Sequence, residues 1–495
     1  MVARLSQWLQ SIFIANKLSG PIGVLFALCS ALFIAFVSAK GEKLTFLLLI
    51  ALLGVFFLFI VFVNPRYGFF TMMVIPFVFF ELERFLGTKG LPINSLVQAI
   101  SVYLMILILL KRKVGSIQVM KSDSYSLITW VLIVYELYVV IQAFNPHMHS
   151  LEGWFFAFRS SISALIIYLL VLVMIDSKKF VNQFFNLWFF LASASALYSC
   201  YQKWFGIPQH IIHYIHSDPL RYALIYVSGR YRIFSLLADP ASAGIIISGS
   251  ATIFLIFGIR NRNLRLKVMY LTGASLMILA IGYSGTRTAY ATLLASLVLF
   301  AIMTINNFRT VLLIISGALG FLVLMYGPIY GNATVNRFRS TFDSEDASLN
   351  VRDVNRQFIQ PYIYSHPLGG GVLTTEALGQ KYNPDHELAG FPPDSGYLKM
   401  ALETGWFGIF IYAMIFYSGI TRGIRGYYTV RNDHLKTIYL AGTCFLFSIS
   451  VANYAQKSTF GFPIITFIFP ILAILSKLSL LDDKPEERSL ESASD

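Results

Sequence analysis

The stretch DPASAGIIISGSATIFLIFGIRNRNLRLKVMYLTGASLMILAIGYSGTRTAYATLLASLVLFAIMTI, residues 239–305, decides the fold. It holds three apolar runs, at 241–259, 268–284 and 287–305. Each approaches the roughly 20 residues with which a helix crosses a hydrocarbon core of about 30 Å. The runs are too long and too continuous for the alternating strands of a membrane barrel, so helices are expected. Asp239 before Pro240 reads as a helix start, a side-chain cap followed by proline in the first turn. Between the first two runs stand Arg260, Arg262, Arg265 and Lys267 with no acid among them, whereas little more than Ser284, Gly285 and Thr286 separates the second run from the third.

The same pattern extends along the whole chain. Of its 495 residues 56% are hydrophobic and only 13% charged, against about 25% charged in an ordinary soluble domain. A secreted enzyme, a nucleic-acid-binding module and a disordered scaffold fit these values poorly. The expected fold class is all-α: a polytopic transmembrane helical bundle of about 14 spans (12–14). Further candidate spans lie near 20–39, 44–63, 67–82, 94–110, 125–143, 160–176, 180–200, 309–326, 400–420, 437–454 and 459–477. The first 19 residues, with Trp8, Leu9, Ile12 and Phe13, read as an interfacial helix. Cys29, Cys200 and Cys444 have neither metal-knuckle nor disulfide spacing and read as packing residues.

Net charge is +13, and three basic blocks account for its distribution: Lys111–Lys113 with Lys121, Arg260–Lys267, and Arg422, Arg425, Arg431 and Lys436. Placing all three in the cytoplasm is consistent with alternating spans and puts both termini inside. Two long polar stretches, 201–240 and 327–399, then lie outside, the second as a large partly helical loop. The expected organisation is N-terminal membrane helices over 1–200, a central region over 201–420 that carries both loops, C-terminal membrane helices over 421–480, and a disordered cytoplasmic tail over 481–495.

Candidate functional residues concentrate at the outer side. Arg230 and Arg232 precede the helix start at Asp239, and two guanidiniums beside free helix N–H groups suit a phosphate. Anchoring to lipid headgroups is the alternative. Arg287 sits between two apolar runs, where an unpaired guanidinium costs a few kcal/mol; it either serves function or snorkels. Arg352 and Arg356 are one helical turn apart, so a helix there carries both on one face. His366 precedes Pro367 and the run Gly369–Gly371, which implies a tight turn with close backbone approach and is weak evidence for a phosphate loop. Asp394 and Ser395 stand at the mouth of the next span, Asp394 as a proton acceptor or as the helix cap. Asp385, His386 and Glu387 are adjacent, and adjacent side chains seldom converge on one metal ion. Glu136 is the main carboxylate within a span.

Three of these segments resemble one family, the O-antigen ligases and related polysaccharide polymerases, membrane glycosyltransferases of the GT-C type. SGTRTAY (284–290) resembles the arginine at the start of the family's central region. Arg352 through SHPLGGG (365–371) resembles its loop pattern of arginine, aromatics, His-Pro and glycine. DSGYLKMALETGWFG (394–408) resembles its signature, with Ser395, Gly405 and Gly408 at matching spacing and Asp394 where ligases carry histidine. The resemblance implies a multi-pass protein of the bacterial inner membrane with a periplasmic active site. Its donor would be an undecaprenyl-diphosphate-linked glycan and its acceptor another glycan, with no cofactor, metal or nucleic acid and with a flippase and chain-length regulator as further partners. Catalytic roles are expected for Asp394, Arg287 and Arg352, diphosphate contacts for Arg230, Arg232, Arg356 and His366, and an alternative base in His386. The replacement of histidine by Asp394 favours polymerisation of repeat units over ligation to lipid A core. A transporter of lipid-linked oligosaccharides is the competing class.

Overall fold

The computed structural model describes residues 54–87, 93–113, 126–227, 229–328, 331, 333–339 and 347–482. The segment 1–19, the span 20–39, Cys29 and the tail beyond Asp482 lie outside them. Beyond an apolar helix at Gly54–Val63, seventeen α-helices run through the described residues. In chain order, α1 is Pro65–Leu86, α2 Ile93–Lys113, α3 Leu127–Ile141, α4 Leu151–Met174 and α5 Lys178–Trp204. Two short helices follow, α6 (Gln209–His216) and α7 (Pro219–Ile225), then α8 Pro240–Arg260, α9 Leu264–Ser284, α10 Arg287–Met303 and α11 Phe308–Tyr326. The late loop holds α12 (Ala333–Arg339), α13 (Ala347–Ser365) and α14 (Glu376–Tyr382), before α15 Gly396–Thr429, α16 Asp433–Ala452 and α17 Ile465–Lys477.

Eight helices among the described residues are long and apolar enough to cross a membrane, and four shorter apolar helices accompany them. Within 327–399 the described residues include α12, α13 and α14, and α13 carries both Arg352 and Arg356. The all-helical expectation needs one small correction. In the loop before α8, Tyr226–Val227 and Arg230–Tyr231 pair as an antiparallel hairpin.

The described residues form two compact units. In the first, which holds residues up to Met72 and Ala99–Lys113, a Cβ on Gly68 would lie 2.8 Å from side-chain atoms of Leu104 and Val61. That glycine lets two helices approach closely. The second unit comprises Met73–Gln98 and the chain from residue 126 onward, and α8 is its central element, with 16 of its 21 residues buried.

Small residues explain that position. Lipid tails are as apolar as leucine, so membrane helices associate through close packing and hydrogen bonds rather than hydrophobicity. Gly244, Ser248 and Thr252 recur every fourth residue on α8 and face α10. Ser248 Oγ donates to the Ala289 carbonyl at 3.1 Å, and Thr252 pairs with Ser296 at 2.7 Å. Gly249 lies under the Phe445 ring of α16, and Gly258 lies under Leu271 of α9. Trp188 of α5 donates to Ser250 Oγ at 2.8 Å and packs against Phe254, Phe445 and Phe467.

The second and third basic blocks gather at one end of this unit. Arg262 pairs with Asp433 at 3.0 Å, Arg260 donates to Thr437, and Arg422 donates to the Ser476 carbonyl. Asp482, the last described residue, accepts from the Arg431 and Asn432 amides. Asn263 and Asn432 cap α9 and α16 at this basic end. Asp239 and Ser395 cap α8 and α15 at the opposite end.

Helix α15 is 34 residues long because two helical pieces join across a break at Gly405, whose φ of +67° and ψ of −162° suit only glycine. A break frees carbonyls that no water in an apolar layer could satisfy. The glycine run answers them: Gly370 N donates to the Leu402 carbonyl at 2.8 Å and Gly371 N to that of Glu403 at 2.9 Å. Tyr138 Oη takes the Thr404 carbonyl at 2.7 Å, and Trp406 N turns to the Pro367 carbonyl. Gly369 and Gly371 adopt φ of +76° and +95°, and a Cβ on Gly369 would come within 2.6 Å of the Glu403 backbone. Gln142 and Asn145, beyond the end of α3, hold the Leu368 and Gly369 carbonyls. The glycine run is therefore a cap for a broken helix. With the Gly370 and Gly371 amides spent on protein carbonyls, the phosphate-loop reading fails.

Gly405→Ala should cost at least about 2 kcal/mol and lower the melting temperature in detergent by several degrees. Gly461→Ala, where a Cβ meets nothing within 4 Å, should leave it unchanged.

Candidate functional site

The end opposite the basic blocks brings two helix starts together. Asp239 caps α8 as expected: its carboxylate accepts from the Ala241 and Ser242 amides at 2.8 and 3.0 Å and from Ser242 Oγ at 2.6 Å. Beside it, Gly285 ends α9 in the left-handed conformation, and α10 begins at Arg287. Thr286 Oγ1 donates to the Pro240 carbonyl at 2.8 Å, tying the two starts together. Arg232 braces this turn. Its guanidinium donates to Thr286 Oγ1 at 2.8 Å, to the Ser284 carbonyl at 3.2 Å and to the Leu224 carbonyl at 3.3 Å. Arg287 is half-buried in the first turn of α10, where the helix dipole adds positive potential. Arg230, by contrast, is exposed on the hairpin.

A clamp that sequence reasoning missed holds the segment leading into Asp239. Arg84, in the last turn of α1, is 2% exposed, pairs with Glu81 at 2.9 Å and donates to the Ser235 carbonyl at 2.8 Å and to that of Leu237. Its guanidinium lies 4.5 Å from the centre of the Phe234 ring. Ser235 takes a left-handed φ of +55°, its amide bound to Gln202 and its hydroxyl to Ser195. Burial holds the Arg84 pKa below the ordinary guanidinium value, with the Glu81 carboxylate acting in the opposite direction.

The second half of the site surrounds the connection between α16 and α17. Fully buried Asn453 accepts from Gly396 N at 2.8 Å and Ser395 Oγ at 2.9 Å through its carbonyl, and from Tyr412 Oη through its side chain. Ser395 also accepts from Leu398 N, so the cap of α15 is Ser395 and not Asp394. That correction leaves the half-buried Asp394 carboxylate at the mouth of the helix without a capping role. On the same connection Tyr454 receives Arg356, which donates to its hydroxyl at 3.0 Å and lies 4.5 Å from the ring centre. Arg352 lies outside the residues whose side chains are described.

Lys457 completes an ion cluster. It pairs with Glu376, whose other oxygen accepts from Lys399 at 3.0 Å, and Lys399 reaches Glu403 at 3.7 Å. Glu403 is 3% exposed and accepts from the Thr375 hydroxyl and amide. Burial pulls the Lys457 pKa below the usual ammonium range, and Asp239 opposes that shift, which couples this cluster to the start of α8. Glu376 has a left-handed φ of +64°, the kind of strain that collects at functional sites. Lys399 and Glu403 are one helical turn apart, a spacing readable in sequence; Lys457 sat unnoticed at the edge of an apolar run.

The histidines form a separate group. His366 stacks on Tyr362 at 3.9 Å, donates from Nδ1 to the Tyr362 carbonyl at 3.0 Å, and meets His147 edge-on at 4.7 Å. Tyr362 is pushed up to about 12 by burial, with Glu387 adding to the shift. His386 Nδ1 accepts from Leu388 N at 3.0 Å, its ring also bonds the Gly370 backbone, and His149 lies 6.1 Å away. Backbone contacts thus occupy the ring proposed as alternative base. Among the described residues no cluster of three or more His, Cys, Asp or Glu could hold a metal ion. Glu136 is buried in α3 and accepts from Ser161 Oγ at 2.9 Å.

Helical architecture and site define a membrane protein whose charged residues gather at the two ends of an apolar bundle. Residues 272–413 match the family model described as O-antigen ligase, the family that the sequence resembles. The match takes in Arg287, Arg352, Arg356, His366, His386, Asp394 and the break at Gly405, and leaves Arg230, Arg232 and Lys457 outside. It supports a membrane glycosyltransferase-like function of the ligase or polymerase type. No curated protein matches the chain.

Burial and the neighbouring His149 hold the His386 pKa below its ordinary value, with the Gly370 hydrogen bond and Glu387 opposing them. Its native contacts therefore favour the neutral ring. Stability from this source is complete above the unfolded value of about 6.5 and is lost as pH falls from there through the lowered folded value. Melting temperature followed from pH 8 to 5 should fall more steeply in the parent protein than in His386→Gln.

Proposed function

We propose that the protein transfers a glycan from a polyprenyl diphosphate carrier to a glycan hydroxyl at the periplasmic face of the bacterial inner membrane, with inversion, and that it polymerises repeat units. The observation that carries this reading is the turn at 284–287. Arg287 opens α10 beside the start of α8, inside the segment matching the O-antigen ligase family.

The chemistry follows from the groups present. An acceptor hydroxyl attacks the anomeric carbon from the face opposite the diphosphate. The new C–O bond forms as the bond to the diphosphate breaks, and that electron pair passes to the departing oxygen. The leaving group is already anionic and needs charge stabilisation rather than a proton. Arg287 and the start of α10 supply it, with Arg352 of α13 as a further cation and Arg356 held on Tyr454. Asp394 takes the proton of the attacking hydroxyl and passes it to water. Arg232, spent on the Thr286 turn, acts by positioning Arg287. Nothing in this scheme calls for a metal.

With purified lipid-linked repeat units, Arg287→Ala should reduce turnover by roughly 10²–10³-fold. Unchanged turnover would remove Arg287 from the mechanism. Asp394→Asn should lose a similar factor without a drop in melting temperature. In a deletion strain, single repeats accumulating on the carrier identify a polymerase, and full-length chains accumulating there identify a ligase that passes the glycan to lipid A core.

A further inference from the structure

At the basic end, remote from the proposed active site, a cavity of about 860 Å³ opens among α5, α8, α9, α10 and α16. That volume lies within the range of small-molecule sites. Asn182, Asn186, Arg260, Arg262, Lys267 and His434 form its polar wall, and Phe185, Phe257, Tyr270 and Phe300 its apolar one. A smaller cavity of about 330 Å³ shares Arg260 and Asp433 with it and adds Lys436. Four permanent cations therefore face a single carboxylate.

That carboxylate belongs to Arg262, which pairs with Asp433 at 3.0 Å. Arg260, half-buried, donates to neutral groups: Thr437 Oγ1 at 3.0 Å and Tyr427 Oη at 3.4 Å. Among the described residues neither Arg260 nor Lys267 has a carboxylate within ion-pair distance. A partly desolvated guanidinium beside an open cavity, held in place by neutral partners, attracts an anion.

The surroundings indicate what carries that anion. Leu264, which lines the cavity, is 72% exposed, and elsewhere on the same two helices α9 exposes Val268 and Met269 by 55 and 40% and α10 exposes Val298 and Ile302 by 58 and 61%. A soluble phosphate has no use for such flanks, whereas acyl chains lie along them. Basic pockets between membrane helices are known recognition sites for acidic lipid headgroups. We propose that this cavity binds the phosphate-bearing headgroup of an anionic phospholipid, with its acyl chains along α9 and α10. The phosphate would meet Arg260 and Lys267, and Asn182, Asn186 and His434 would meet headgroup hydroxyls.

The test uses the full chain in neutral detergent. Thermal melting and native mass spectrometry are followed as phosphatidylglycerol, phosphatidylcholine, or glycerol phosphate is added. Saturable stabilisation and retained adducts are expected with phosphatidylglycerol alone. Equal effects of the two lipids would overturn the charge selection. An equal effect of glycerol phosphate would show a soluble-anion site and overturn the lipid assignment. Arg260→Gln removes the central cation; because it also loses bonds to Thr437 and Tyr427, the double change at exposed Arg262 and half-buried Lys267, Arg262→Gln/Lys267→Gln, serves as the second variant. Binding of phosphatidylglycerol about tenfold weaker in the double variant is expected. Retention of full affinity and preference in the double variant would sink the proposal, since surface charges that merely snorkel bind nothing saturably.

Discussion

The break in α15 is the constraint on which the rest of the outer end depends. An apolar layer offers no water to a freed carbonyl, so a helix can be interrupted there only where protein donors stand ready. Leu402, Glu403 and Thr404 find theirs in Gly370, Gly371 and Tyr138, from two different parts of the chain. Because those donors are backbone amides at close range, the run at 369–371 must lack side chains, and Gly405 must take a conformation closed to other residues. The break thereby fixes the late loop against α3 and α15, and places His386, Glu376 and Asp394 where they are.

A second dependence runs through the connection between α16 and α17. Asn453 spends its carbonyl on the start of α15, Tyr454 receives Arg356 from α13, and Lys457 pairs with Glu376 while feeling Asp239 on α8. Four elements distant in sequence meet on five residues, 453–457. On the other side of α8, Arg232 and Arg84 hold backbone carbonyls that shape the approach to Asp239 and the turn before Arg287. Both are cations whose work is largely structural, and they leave Arg287 at the start of α10 as the arginine set nearest the two helix starts.

Much of this was legible because it is local. The boundaries of α8 at Pro240 and α10 at Arg287, the Asp239 cap, and one helix bearing Arg352 and Arg356 all follow from capping, proline geometry and apolar run length. The cap of α15 stayed open in the sequence, since Asp394 and Ser395 both suit an N-cap and only the side-chain bond to Leu398 N makes Ser395 the cap. Lys457, Glu376 and Arg84 escaped notice because nothing in their own neighbourhoods marks them; each gains its meaning from a partner far along the chain. The glycine run misled for a related reason: its amides can serve a phosphate or a carbonyl equally well, and the composition of the run does not say which.

By itself the amino-acid sequence determined that this chain is a helical membrane protein, where α8 and α10 begin, and which segment carries the O-antigen ligase likeness. Those properties depend on apolar run length and on interactions within about four residues. Only the tertiary structure decided which arginine is spent on a carbonyl, which residue caps α15, and what the glycines at 369–371 serve. Hydrogen bonds and ion pairs between distant elements settle such questions, and their geometry exists only once the helices are packed.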